Sequence, residues 1–257
     1  MSIVPTLSSE IKGEGPSLLV LHGFTGDRST MSSISEPLSE NYSVVSVDLP
    51  GHGSTIRDLE PYLFNFEDTL AALIEVMEFH DQQEFNVLGY SMGGRLAIGL
   101  ATKYPNRLKN MILIGATAGI SDENQRTARR RSDDRLAGEI LEKGIEWFVE
   151  YWMDQPIFES QIRIDSQTLD ISKRQRLKND THGLANSLRG SGTGSQRIRI
   201  GAGAISNGCI RPCYGNNPCY SSCQCRKGHP RLRTRDANSS TRRLYDSNWN
   251  PSRWRSW

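Results

Sequence analysis

The chain has 257 residues, of which 36% are hydrophobic, and a formal net charge of +2. This small value hides an asymmetry, because residues 197–257 carry a formal charge of +10 and residues 1–196 carry −8. No apolar run approaches the roughly 18 residues of a membrane-spanning helix, and residues 1–15 lack the pattern of a secretory signal. We therefore expect a cytoplasmic protein with no membrane span.

Four short apolar or β-branched runs predict strands, and segments long enough for crossover helices separate them. The runs are 17–21, 42–47, 85–88 and 111–115. Parallel strands need connections of about a dozen or more residues, so this alternation predicts an α/β fold with a mostly parallel sheet.

Turn-rich loops follow the first three runs, at residues 22–26, 48–53 and 89–93. The third loop, Gly-Tyr-Ser-Met-Gly, is a G-x-S-x-G nucleophile elbow between a strand and a helix, as this motif requires. Ser91 is the predicted nucleophile, although a simple glycine-rich turn gives the same pattern. In this architecture the backbone N–H groups of Phe24 and Met92 form the predicted oxyanion hole.

Residues 121–180 predict a helical insertion. Apolar residues at 139–141 and 145–149 have helical spacing, and Pro156 ends the pattern. The segment also contains an arginine cluster, formed by Arg126, Arg129, Arg130, Arg131 and Arg135. Such a cluster is either a solvated helix face or a group of cations that faces a site, and the sequence pattern alone allows both.

These motifs resemble the α/β-hydrolase superfamily and, within it, the 2-succinyl-6-hydroxy-2,4-cyclohexadiene-1-carboxylate synthases of menaquinone biosynthesis. The matching segments lie within about residues 17–196 and are 21–26, 48–53, 89–95, 125–133, 151–158 and 182–189. The resemblance implies an α/β-hydrolase fold with a helical cap at about 121–180. It also implies a lyase that eliminates pyruvate from a polycarboxylated cyclohexadiene, with no cofactor.

The resemblance further assigns roles to individual residues. Ser91 acts as the base, while the residues that line the substrate pocket are Tyr90, Arg95, Arg129, Trp152 and Lys178. Arginine suits this pocket because its planar fork binds carboxylates at two points; Lys178 stands where relatives tend to carry arginine. Simpler interpretations are that Tyr90 packs the elbow, Trp152 packs the cap and Arg95 lies on the surface. A serine esterase of the same fold is the alternative function.

Residues 197–257 have a different character. They contain eleven arginines and all five cysteines, but no Val, Phe, Met or Glu. Without an apolar period this segment cannot offset its ordering entropy, so we expect residues 1–196 to form the body and 197–257 a disordered tail. The cysteine spacing does not fit the ligand pairs of a structural zinc site, and we expect no bound metal.

The family would place its last strands, its catalytic acid and its catalytic histidine in this tail, and none is recognisable there. Gly228-His229 has no patterned strand before it. We interpret the tail as the product of a reading-frame shift at or just after Gln196. The alternative is a non-enzymatic remnant whose basic tail binds nucleic acid nonspecifically through its charge.

Overall fold

Five strands form a single sheet in this computed structural model, which describes residues 6–55, 64–156, 158 and 165–196. The strands are β1 (Ser9–Lys12), β2 (Ser17–Leu21), β3 (Ser43–Val47), β4 (Phe85–Tyr90) and β5 (Leu108–Ile114). Their order is β1-β3-β2-β4-β5. Strands β2 to β5 are parallel, and β1 pairs antiparallel with β3. The predicted mostly parallel sheet is confirmed.

In the described part of the chain, six α-helices connect or cover these strands. They are α1 (Ser32–Leu38), α2 (Phe66–Phe79), α3 (Met92–Lys103), α4 (Glu123–Met153), α5 (Ser166–Arg176) and α6 (Thr181–Ser191). Four of them begin at an Asn or Asp whose side chain accepts a hydrogen bond from the first helical turn, namely Asn65, Asp122, Asp165 and Asp180. These caps satisfy N–H groups that have no partner within the helix.

The core lies on both faces of the sheet. On one face, helices α2 and α3 pack against alternate strand residues such as Leu19, Val45 and Val87. On the other face, Leu18 and Val44 pack with Met31 and with partly buried residues of α1. β2 is buried along its whole length, because helices cover both sides of a central parallel strand.

The predicted helical insertion contains α4 and α5. Gly144, with φ 85° and ψ 177°, divides α4 into two helical segments. The second segment reaches the loop after β2, since Phe148 and Trp152 both contact Phe24. Helices α4 and α5 therefore lie near the carboxyl ends of the strands, where a cap is expected.

Helix α6 continues this layer beyond the predicted cap boundary and packs against α4. It also approaches the loop after β3, because a Cβ atom on Gly183 would lie 2.6 Å from the Gly51 carbonyl oxygen. No helix within the described residues is long and apolar enough to cross a membrane. The predicted tail, residues 197–257, lies outside the described residues, so the predicted body-and-tail division stays a prediction.

Candidate active site

The turn between β4 and α3 has the geometry of a nucleophile elbow. Ser91 sits at the N-terminus of α3 with φ 50° and ψ −107°, in a region that non-glycine residues rarely adopt. The flanking glycines are required by space. A Cβ atom on Gly89 would lie 2.4 Å from the Gly93 carbonyl oxygen, and one on Gly93 would lie 2.5 Å from the Leu21 carbonyl oxygen.

Two backbone N–H groups beside the elbow are available to bind an oxyanion. Within the described residues, neither Phe24 N–H nor Met92 N–H donates a hydrogen bond to the protein. The next amide, Gly93 N–H, donates to the His22 carbonyl oxygen at 3.1 Å and ties the elbow to the loop after β2. The arrangement fixes both candidate donors before any ligand binds.

Two buried histidines hold this loop in place. Leu49 N–H donates to His22 Nε2 at 3.0 Å, and Thr25 N–H donates to His52 Nε2 at 3.3 Å. Each Nδ1 lies within hydrogen-bond distance of a carbonyl oxygen, that of Gly23 for His22 and that of Pro50 for His52. Burial lowers the pKa of His22 to about 4 and that of His52 to about 3. Both rings are therefore neutral near pH 7 and serve as structural bridges between loops.

A cavity of about 230 Å³ opens beside the elbow, between the loop after β2 and helix α5. Tyr90 forms one wall and is 43% exposed. Its ring also covers Gly23, where a Cβ atom would lie 2.8 Å from Tyr90 Cδ1 and 3.4 Å from Ser91 Cβ. Tyr90 thus packs against the loop after β2 and lines the cavity as well.

The cation in this cavity is Arg176, which the sequence analysis did not single out. Arg176 lies across the cavity from Tyr90, hydrogen-bonds to Ser172 and lies 5.6 Å from the ring centroid of Phe158. Burial lowers its pKa, and Tyr90 partly opposes that shift. Lys178, the predicted ligand, is exposed beyond the end of α5 and is not among the residues that line this cavity. Both residues belong to one basic run, in which Arg176 is the last residue of α5 and Lys178 lies two residues beyond it.

A row of packed aromatic side chains extends from the loop after β2 into the cap. Trp152 contacts Phe24 with ring centroids 5.2 Å apart, and it contacts Phe148 at 5.6 Å and Phe158 at 5.9 Å. The cap-packing interpretation of Trp152 and its predicted place near the site are both compatible with this position.

A separate charged cluster joins α3 to the first segment of α4. Arg95 is buried, with 8% of its surface exposed, so the interpretation of Arg95 as a surface residue is not supported. Burial, with a smaller contribution from Arg129, lowers the pKa of Arg95 to about 10, while Asp133 opposes the shift. Arg129 Nε donates to Asp133 Oδ1 at 2.7 Å, and Arg95 Nη1 donates to Gln196 Oε1 at 3.4 Å.

Residues 16–155 match the α/β hydrolase fold family. The chain belongs to this family. It is 36% identical over 190 residues to the putative 2-succinyl-6-hydroxy-2,4-cyclohexadiene-1-carboxylate synthase of Bacillus subtilis, covering 72% of this chain and 69% of that protein. The enzyme of the same name from Enterobacter is 32% identical over 143 residues, 56% of this chain and 54% of that protein. The chain thus spans about half the length of the Enterobacter relative.

Solved structures show the same fold. MenH from S. aureus has 31% sequence identity and a TM-score of 0.70, covering 74% of this chain and 73% of that chain. A thermophilic esterase from Thermogutta terrifontis, solved with malate bound, has 25% identity and a TM-score of 0.61, covering 72% of this chain and 66% of that chain. The fold is therefore common to proteins named as synthases and as esterases.

A serine nucleophile on this fold needs a histidine and an acid as partners. In the described part of the chain, Ser91 Oγ has no hydrogen bond to a histidine, and His22 and His52 are occupied by the loops. Asp48 is a buried acid at the start of the loop after β3. Its carboxylate accepts hydrogen bonds from the N–H groups of Arg28 and Ser54. The catalytic acid and histidine are thus not identified within the described residues.

Proposed function

We propose that this protein is a 2-succinyl-6-hydroxy-2,4-cyclohexadiene-1-carboxylate synthase-like lyase, which eliminates pyruvate from a polycarboxylated cyclohexadiene. The observation that carries the proposal is the pairing of a strained serine elbow with two available N–H groups, beside a cavity that Arg176, a half-buried arginine, lines. The 36% identity to the B. subtilis relative supports the same substrate class.

In the proposed reaction, Ser91 removes a proton from the substrate when a histidine has accepted the serine proton. The two electrons of the broken C–H bond form a double bond as the C–O bond to the leaving group breaks. The electron pair of that C–O bond departs with the oxygen, and the leaving group takes up a proton and is released as pyruvate. The N–H groups of Phe24 and Met92 stabilise the negative charge that develops in the transition state. Such donors lower the barrier because their dipoles are already oriented before the reaction begins.

The substrate carboxylates would bind Arg176 and the two arginines of the charged cluster, Arg95 and Arg129. Arg176 faces the cavity, and Arg95 and Arg129 lie where α3 meets the cap. Tyr90 and Trp152 would provide flat walls for the ring. The role of Lys178 stays a prediction. A buried guanidinium binds a carboxylate more strongly than an exposed one, because water competes less for both partners.

The partners of Ser91 are not identified within the described residues, and residues 197–257 lack the apolar pattern of a folded segment. Both points support the proposal that the reading frame shifts at or just after Gln196. The underlying DNA should then encode, in another frame, a strand followed by an acid and later a Gly-His pair. A serine hydroxyl without its partners is a poor base near neutral pH. We therefore expect the 257-residue chain to release pyruvate at least about a thousandfold more slowly than a version with the frame restored.

The decisive experiment measures pyruvate release from the pathway substrate by the frame-restored protein, with Ser91→Ala as the inactive control. Near-normal turnover by the 257-residue chain would contradict the frame-shift proposal, while leaving the lyase assignment intact. No turnover by the frame-restored protein would refute the lyase assignment itself.

A serine esterase is the second candidate, favoured by the likeness to the T. terrifontis esterase. Arginine substitutions separate the two functions. In the frame-restored protein, Arg95→Ala and Arg129→Ala should each cost the elimination about 2 to 4 kcal/mol in kcat/KM, with little effect on hydrolysis of a neutral ester. Ester hydrolysis that falls equally, with no elimination detected, would favour the esterase.

A further inference from the structure

A turn in the loop after β2 has a backbone conformation that its sequence does not favour. Gly26 N–H donates to the Gly23 carbonyl oxygen at 3.1 Å and closes the turn. Thr25 is the only residue of the turn with a positive φ, 69°. A positive φ at the third position alone is the pattern of a type II turn, which normally carries glycine or asparagine there. A β-branched residue in this region is an outlier, so surrounding contacts must hold it.

Two hydrogen bonds hold Thr25 from different parts of the protein. Its N–H donates to His52 Nε2 in the loop after β3, and its carbonyl oxygen accepts from Asn179 Nδ2 at 2.9 Å. Asn179 lies just beyond the end of α5, and Thr25 itself is buried. The strained turn is therefore held once by the sheet side of the molecule and once by the cap.

The Asn179 side chain is itself fixed in orientation. Its Nδ2 also donates to the Arg176 carbonyl oxygen at 3.0 Å, and its backbone N–H donates to the same oxygen at 3.1 Å. Both partners of Nδ2 are carbonyl oxygens, which only accept, so the NH₂ end of the amide faces them. Asn179 thus connects the last turn of α5 to the turn that presents the Phe24 N–H.

A second link between the same helix and the same loop has a different character. Gln175 Nε2 donates to Asp27 Oδ1 at 3.1 Å and to Ser29 Oγ at 2.6 Å. These acceptors are side chains that follow the turn, so Gln175 attaches α5 to the loop without contacting the backbone of the turn. Asn179, by contrast, bonds to the strained residue itself.

We propose that Asn179 is a positioning residue, which holds Thr25 at a positive φ and thereby keeps the Phe24 N–H directed at the oxyanion. Without this bond the turn relaxes, and the peptide that carries the Phe24 N–H loses its fixed direction. The inference rests on the proposed function, since it takes the Phe24 N–H as an oxyanion donor. It adds a cap residue that acts through the turn and does not itself touch the substrate.

The conformation of Thr25 is measured first, on the full chain, through the backbone NMR couplings that report φ. Asn179→Ala should move Thr25 away from a positive φ. Gln175→Ala is the matched control, because it loosens the same helix from the same loop, and it should leave the φ of Thr25 unchanged. An unchanged φ in a folded Asn179→Ala variant would overturn the proposal, as would an equal change in both variants.

The kinetic effect is measured in the frame-restored protein. Oxyanion donors act mainly in the transition state, so Asn179→Ala should lower kcat about tenfold or more and leave KM nearly unchanged. Glycine adopts a positive φ without strain, so the same substitution should cost little in a Thr25→Gly background. An equal loss of kcat in both backgrounds, or a rise in KM alone, would refute the positioning role.

Two further outcomes are decisive. If Asn179→Ala alone fails to fold, the proposal requires that the double variant with Thr25→Gly folds, and failure of both would contradict it. An oxyanion hole serves ester hydrolysis as well as elimination, so a frame-restored protein that only hydrolyses esters would refute the lyase assignment while the kcat of hydrolysis still tests Asn179. A frame-restored protein with neither activity would overturn both proposals.

Discussion

The two buried histidines should make the folded state sensitive to mild acid. His22 and His52 are neutral when folded, with pKa values lowered by burial to about 4 and about 3. In the unfolded chain each returns to an ordinary pKa near 6.5 and takes up a proton as the pH falls below that value. The unfolded state then binds more protons than the folded state, so stability is present above about pH 6.5 and is lost as the pH falls.

The expected loss follows from the linkage between protonation and folding. Between pH 7 and pH 5 each histidine should lower the free energy of unfolding by about 2 kcal/mol, or about 4 kcal/mol for the pair. This value depends little on the folded pKa values, because both lie well below 5. Asp133 acts in the opposite direction, since burial raises its pKa and its protonation favours the folded state. The net loss should therefore be somewhat smaller than the histidine contribution.

Urea unfolding of the full chain at several pH values between 7 and 5 measures the loss directly. Carbon-13 NMR of labelled histidine rings, recorded on the folded protein over the same range, identifies the groups responsible. Rings of His22 or His52 that titrate near pH 6.5 in the folded protein would refute the reasoning, as would a free energy of unfolding that stays constant.

Three further predictions concern the cap and the tail. Gly144→Ala should lower the free energy of unfolding by about 1 to 3 kcal/mol, because the φ and ψ of Gly144 are open mainly to glycine. The control is Gly138→Ala in the same helix, where the added Cβ has no atom within 4 Å. This variant should raise the free energy of unfolding by up to about 1 kcal/mol. Equal effects in chemical unfolding would show that the bend is not fixed by Gly144. Gly183→Ala should lower the melting temperature, since its Cβ would lie 2.6 Å from the Gly51 carbonyl oxygen; an unchanged melting temperature would show that α6 can move away from the loop after β3. Nucleic-acid binding by the full chain should weaken steeply with salt and disappear in a chain that ends at Gln196, whereas salt-insensitive binding would indicate an evolved recognition module.

Much of the sheet could be predicted from the sequence because each of the strands β2 to β5 contains a short apolar or β-branched run. β1 was missed for a physical reason. It is an edge strand whose last three residues are exposed, so Ser9–Lys12 carries no apolar pattern. The bend in α4 was missed as well, because a glycine inside a helical pattern does not reveal its own φ and ψ.

The site was predictable where a local motif determines the backbone. The elbow around Ser91 follows from five residues, and the structure places it as expected. The burial of Arg95 could not be predicted, since the groups around it, Gln196 on one side and Arg129 with Asp133 on α4, are distant in sequence. That Arg176, and not Lys178, lines the cavity could not be predicted either, since the other walls of the cavity come from the loop after β2 and from Tyr90. Such features arise from contacts between segments distant in sequence, which a single sequence does not encode as a pattern.

The position of β5 has a consequence for the protein in the cell. Among the described residues, β5 pairs only with β4, and its Ile112 is 49% exposed. A strand edge of this kind offers unpaired N–H and C=O groups to any other extended polypeptide, and Lys109 and Asn110 are its only polar side chains. If residues 197–257 do not cover this edge, other chains compete for it, including further copies of the same protein. The yield of the protein would then depend on its rate of synthesis and on the chaperones present, independently of whether Ser91 ever meets a substrate.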